Sequence, residues 1–203
     1  MSHLTSAIST YPNYNLTLVG HSLGGAVALL AALEFAALGW NPKVTTFGEP
    51  KVGNGAFVEY VNDKLVHGNH PGNSVSWLQN ALRNDGGTVV ETRAPYCRVT
   101  HIDDPVPLLP LTEWGYRPHA GEIYISKPEL APLPQDVQFC HGNADPDCIA
   151  GTDDSSVVDE RFGDRMDASR MLSPRYKLWK LFFAHSDYFS RLGLCVPGGS
   201  PWD

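Results

Sequence analysis

The sequence predicts an α/β fold built on a parallel sheet, and three observations carry that reading. Tyr14-Asn15-Leu16-Thr17-Leu18-Val19 has the aliphatic and β-branched make-up of a strand, bounded upstream by Tyr11-Pro12-Asn13. Gly24 to Gly39 follows closely, dense in Ala and Leu, and ends at a glycine before Asn41-Pro42, as helices do. Tyr96 to Ile102 reads as another strand with Asp103-Asp104-Pro105 at its carboxyl end, the sheet edge where functional groups collect. With 203 residues, 42% of them apolar, the chain is expected to form one domain, residues 1–203.

Between the first strand and its helix lies Gly20-His21-Ser22-Leu23-Gly24-Gly25. Strand, tight turn and helix are the context of a nucleophile elbow, which in the α/β-hydrolase fold lifts a serine hydroxyl clear of the sheet. A bare G-x-S-x-G arises by chance in ordinary glycine-rich turns; the flanking strand and helix set this one apart. Gly20, Gly24 and Gly25 are expected because so tight a turn leaves little room for Cβ atoms. The apolar run from Leu23 to Trp40 approaches the length of a membrane span, about eighteen residues. Glu34 within it, two opening glycines and the lack of a basic flank favour a buried helix packed on a sheet.

A serine hydroxyl is a poor nucleophile at neutral pH and needs a base, which in turn needs an orienting acid. In this fold the chain order is Ser, acid, His. Asp103 and Asp104 are adjacent, so at most one addresses the base, and Pro105 biases Asp104 towards an extended backbone. A solvated, helix-capping turn is the plain alternative. Of the eight histidines only His119, His141 and His185 follow the acid. His119 sits between Pro118 and a strand-like Glu122-Ile123-Tyr124-Ile125, where a structural role fits better. His141 opens a polar loop after Cys140. His185 stands between an apolar segment, Leu178 to Ala184, and Tyr188-Phe189, as a base beside an acyl pocket would.

Four segments, in order, resemble the class 3 (fungal-type) triacylglycerol lipase family, which includes feruloyl esterases. They are GHSLGGAVALL from Gly20, Phe47-Gly48-Glu49-Pro50-Lys51-Val52-Gly53-Asn54, Arg98 to Pro110, and Ala184-His185-Ser186-Asp187-Tyr188-Phe189. The stretch from Gly115 to Tyr124 is similar to a family strand more loosely. The resemblance implies Ser22 as nucleophile, Asp104 as acid and His185 as base. It also implies an oxyanion donor at the Leu23 N–H, and substrate contacts from His21 and from the apolar Val106, Pro107, Leu108 and Leu109. No metal or other cofactor is implied. The expected partner is a lipid or aryl ester, met at a lipid–water interface, and the expected setting is extracellular.

The family places its first strands, a lid helix and an oxyanion-loop Ser or Thr before the elbow, whereas here only Met1 to Tyr11 precede the elbow strand. The expectation is therefore an incomplete, amino-terminally truncated α/β-hydrolase fold, with insertions near 65–92 and 150–175. One lost oxyanion donor costs about 2.7–4 kcal/mol in such a site. The alternatives are a catalytically inactive fragment, a feruloyl or aryl esterase, or an acyl transferase on the same scaffold. A net charge of −7 argues against a nucleic-acid partner, and neither a signal peptide nor a transmembrane segment is read in the chain. Cys140 and Cys148 bracket a short loop and are expected to form a disulfide. Cys97 reads as a buried thiol, and the resemblance links Cys195 to a partner cysteine not in this sequence. The Asn15-Leu16-Thr17 sequon opens the elbow strand and is expected to be buried.

Overall fold

The computed structural model describes residues 2–66, 96–153 and 184–191. The insertion expected near 65–92 falls mostly, and that near 150–175 largely, outside these residues, as does Cys195. Helix α1 (Ser2–Thr10) leads into strand β1 (Thr17–His21) and helix α2 (Leu23–Ala37). Strand β2 (Lys43–Phe47), helix α3 (Gly55–Val61) and a π-helical turn (Asn62–Val66) follow. Beyond the undescribed stretch come β3 (Tyr96–His101), β4 (Glu122–Ile125) and β5 (Val137–Phe139), joined by short 3₁₀ turns.

The five strands form one sheet in the order β1-β2-β3-β4-β5. The first three pairings are parallel and β5 closes the far side antiparallel to β4. β1, β2 and β3 therefore end side by side, with His21 opposite Phe47 and Phe47 opposite Val99. Every residue of β3 and β4 is buried, as expected for parallel strands covered on both faces. Leu29, Ala32, Val44, Val61, Leu65 and Tyr96 pack together between the helices and the sheet.

α2 packs on the sheet as expected, but only along one face. It buries Gly25, Ala26, Ala28, Leu29, Ala32 and Phe35, while Leu23, Val27 and Leu30 stay exposed. These three fall at i, i+4 and i+7, one stripe along the helix. β1 lies at the sheet margin, its outer edge paired with no other strand among the described residues, and Val19 is exposed. No described helix is long and apolar enough to cross a membrane.

The turn into α2 tests the three glycines individually. A Cβ on Gly20 would sit 2.2 Å from the carbonyl oxygen of Gly24, and one on Gly25 3.1 Å from Glu49 Cβ. At Gly24 a Cβ would meet nothing within 4 Å, so the crowding expected there is absent. Gly20→Ala is expected to abolish cooperative thermal unfolding, because backbone rather than a flexible side chain blocks it. Gly24→Ala is expected to keep stability within about 1 kcal/mol of the parent, with helix propensity favouring the variant. Circular dichroism melts of the two variants separate these outcomes.

Candidate active site

Ser22 occupies the junction between β1 and α2 with φ 56° and ψ −130°. A non-glycine residue in this region costs on the order of 1–3 kcal/mol and persists only where its surroundings dictate it. Here the surroundings are specific. The Ser22 N–H donates to the Phe47 carbonyl at 2.9 Å, and the Gly25 N–H donates to the Ser22 carbonyl at 2.8 Å. The turn is thus tied to the end of β2 on one side and to its own helix on the other. Leu23 begins α2, so its N–H is among the first-turn donors that have no acceptor within the helix.

Asp104 follows the end of β3 and is almost fully buried. Its carboxylate faces His185 Nδ1 with both oxygens, at 3.0 and 2.9 Å. Oδ1 also accepts the Val106 N–H at 2.9 Å, and Oδ2 accepts the Tyr188 hydroxyl. Burial, then the neighbouring Asp104 charge, push the Tyr188 phenol well above its ordinary value, so it remains a donor. A carboxylate at Nδ1 fixes the proton there and leaves Nε2 of neutral His185 as the basic nitrogen. That Nε2 is buried and has no hydrogen-bond partner among the described residues.

His21, the residue before Ser22, lies against His185. Its ring centroid is 4.4 Å from that of His185, and its Nε2 is 2.6 Å from the His185 carbonyl oxygen. A carbonyl only accepts, so Nε2 of His21 carries the proton. Burial is the main influence on His21 and lowers its pKa, which favours the neutral ring. Of the apolar stretch after the acid, Pro107 and Leu108 turn inward, Leu108 joining Tyr124, Cys148 and Ile149 in the core. Val106 and Leu109 are the members that reach the surface.

The structure brings Asp104 and His185 together beside the turn that carries Ser22, and it leaves the other two late histidines elsewhere. His119 is buried and its Nε2 lies 3.1 Å from Glu49 Oε1. His141 is exposed at the start of the loop closed by the Cys140–Cys148 disulfide, and its N–H donates to Asp145. Cys97 is buried within β3. Gly48 was not singled out by sequence reasoning, although it stands in the Phe47-Gly48-Glu49-Pro50 segment. With φ +57°, a Cβ there would lie 2.7 Å from Asp104 Oδ2, 2.7 Å from the Tyr188 hydroxyl and 2.8 Å from His185 Cε1. Only a hydrogen fits in the space where acid, base and phenol meet. Tyr188, visible in the sequence only as part of a motif, is likewise a ligand of the acid.

Beneath this site runs a buried polar layer. Glu49 accepts from the Tyr96 hydroxyl at 2.5 Å, and Arg98 pairs with Glu122 at 3.4 Å, all in the interior. Burial works to raise the Glu49 carboxyl, but the charge of His119 and the hydrogen bonds from His119 and Tyr96 hold it below its ordinary 4.5. A carboxyl depressed in the folded state contributes stability that is full above 4.5 and lost as pH falls through the folded value. Glu49→Gln is therefore expected to lower stability at neutral pH by about 1.5–3 kcal/mol. It should also flatten the acid-side loss, as read by urea unfolding at pH 7 and at a series of values below 4.5.

Residues 1–114 match the family model described as Lipase (class 3). A secreted mono- and diacylglycerol lipase 2 of Gibberella zeae is 48% identical over 205 residues, which cover 95% of this chain and 46% of that relative. The crystal structure of the Lip2 lipase of Yarrowia lipolytica superposes with a TM-score of 0.67 at 29% identity, over 96% of this chain and 53% of that one. A triacylglycerol lipase structure whose catalytic centre is described as a serine protease triad matches at a TM-score of 0.52 and 30% identity, covering 78% and 50%. The chain spans about half the length of the relatives it matches.

Proposed function

Because the chain belongs to the class 3 lipase family and carries the α/β-hydrolase fold of its solved members, we propose that it bears the acyl-transfer site of a carboxylic ester hydrolase acting on glycerides. The observation that carries this reading is the hydrogen bond between His185 and the buried Asp104, beside a serine held at positive φ. Ser22 Oγ attacks the ester carbonyl while Nε2 of His185 takes its proton. The carbonyl oxygen gains the negative charge, and the Leu23 N–H at the positive end of α2 stabilises it. His185 then protonates the leaving alcohol, and water, deprotonated by the same nitrogen, releases the acid from the acyl-serine. Asp104 keeps the imidazole in its working tautomer throughout and stabilises the imidazolium.

The names of the relatives favour a mono- or diacylglycerol as substrate and an extracellular setting, and Leu109 and Leu111, five and seven residues after Asp104, offer exposed apolar surface. His21 is placed here as a positioning residue: its hydrogen bond to the backbone of the base fixes where Nε2 points. Hydrolysis of nitrophenyl acetate, butyrate and palmitate by the purified chain, beside Ser22→Ala, tests the central claim. A loss of at least a thousandfold is expected for the variant, and equal rates would refute the mechanism.

Gly48→Ala probes the geometry without removing a reacting group. Displacing Asp104 and His185 by even a fraction of an ångström should cut kcat about a hundredfold with little change in KM. An unchanged kcat in a folded Gly48→Ala protein would separate the site from that constraint. His21→Ala should lower kcat more than it raises KM, and His21→Gln, which keeps a donor, should recover part of the loss.

A further inference from the structure

The sequon Asn15-Leu16-Thr17 was expected to be hidden in the elbow strand, and the structure places it in the open. Asn15 and Thr17 are both exposed, and Asn15 lies outside any helix or strand, in the segment that leads into β1. Leu16 anchors that segment from within, its carbonyl accepting the Lys43 N–H at 2.9 Å. Asn15 is thus an exposed residue on a fixed backbone, with a non-proline residue between it and the hydroxyl residue.

A second observation lies beside it. An open depression of about 440 Å³ separates α1 from the start of β1, lined by Ala7, Ile8, Tyr11, Tyr14, Asn15 and Leu16. That volume is within the range of small-molecule sites, roughly 300–1,000 Å³. Its two tyrosines are unusual for a surface: Tyr14 is 81% exposed and Tyr11 58%, with ring centroids 5.7 Å apart at 74°. Amphipathic rings in this arrangement give an apolar face and two hydroxyls, which suits the C–H face and polar rim of a pyranose. Neither ring serves the catalytic site. Asn15 precedes Ser22 by seven residues along the strand, roughly 20 Å at the rise of a β-strand. A modification there extends from the opposite end of the sheet and leaves the serine accessible.

We infer that Asn15 is an N-glycosylation acceptor whose first sugar rests in the Tyr11–Tyr14 depression, an inference that rests on the extracellular reading above. In the transfer, Nδ2 of Asn15 bonds to C1 of an oligosaccharide carried on a lipid pyrophosphate. The C1–O bond to the pyrophosphate breaks, the lipid pyrophosphate leaves with the bonding electrons, and Nδ2 gives up one proton. The bulky, hydrated product covers exposed aromatic surface that otherwise faces water.

The test is expression of the 203-residue chain behind a yeast secretion leader, followed by peptide mapping by mass spectrometry. The Asn15 peptide is expected to carry a glycan that peptide-N-glycosidase removes, leaving aspartate at that position. Asn15→Gln and Thr17→Val should lose the glycan, and Thr17→Ser should keep it. A bare Asn15 peptide, in secreted protein or in the microsomal fraction of cells that retain it, overturns the inference. The leader supplies the secretory route, so that result counts against the acceptor and not against the extracellular reading. The ester hydrolase reading is scored separately on the same material by Ser22→Ala. For the sugar's seat, deglycosylation should lower the Tm of the parent and leave that of Tyr14→Ala unchanged; equal drops in both proteins overturn the seat.

Discussion

A single buried carboxylate organises the functional end of this molecule. Asp104 accepts hydrogen bonds from an imidazole and a phenol of the distant 184–191 segment and from a backbone N–H of its own loop. An ionised carboxylate out of water is strongly unfavourable unless its lone pairs are filled, so these bonds are required of the fold. Satisfying them draws residues 184–191 onto the ends of β2 and β3, and His185 arrives in place because it is one of the donors. Gly48 is the steric side of the same constraint, since any side chain at its α-carbon would occupy the volume where the three groups converge. Binding energy for the acid and geometry for the base are thus one requirement.

The polar layer below follows a related logic at lower chemical stakes. Glu49, Tyr96 and His119 join β2, β3 and the approach to β4, while Arg98, Thr100 and Glu122 link β3 to β4. Parallel strands buried on both faces are normally filled with branched aliphatic residues. Replacing some of these by ions adds desolvation cost and gains register, because a one-residue slip would strand every partner at once. That register is what sets Phe47 beside His21 and Val99, and so fixes the heights at which Ser22 and Asp104 leave the sheet.

Much of this was legible in the residues. The strand–turn–helix around Ser22 could be read because periodicity, glycine placement and helix propensity agree over some twenty-five residues. Asp104 and His185 were legible only through motif resemblance; residue chemistry alone left Asp103, His119 and His141 open. The remainder turned on tertiary distances. Gly20 and Gly24 look equivalent in the sequence, and only the path of the helix decides that one is crowded and the other free. Asn15 seemed part of a buried strand because the apolar pattern runs through it, yet β1 begins two residues later and lies at the sheet margin. Gly48 carries no side chain to announce a role.

Under the proposed mechanism, the exposed stripe on α2 bears on how the oxyanion would be met. Leu23 supplies the helix N–H nearest the nucleophile, yet its own side chain points away and is 72% exposed. Backbone and side chain at this position therefore do different work: the N–H is fixed by the elbow, while the leucine continues the apolar row formed by Val27 and Leu30. Whatever covers that row also removes water from around the Leu23 N–H, and a donor in a drier site stabilises developing charge more strongly. On that mechanism, the electrostatic power of the Leu23 N–H is tied to the fate of a hydrophobic row about two turns long. Chemistry at Ser22 and packing along α2 are coupled through one residue.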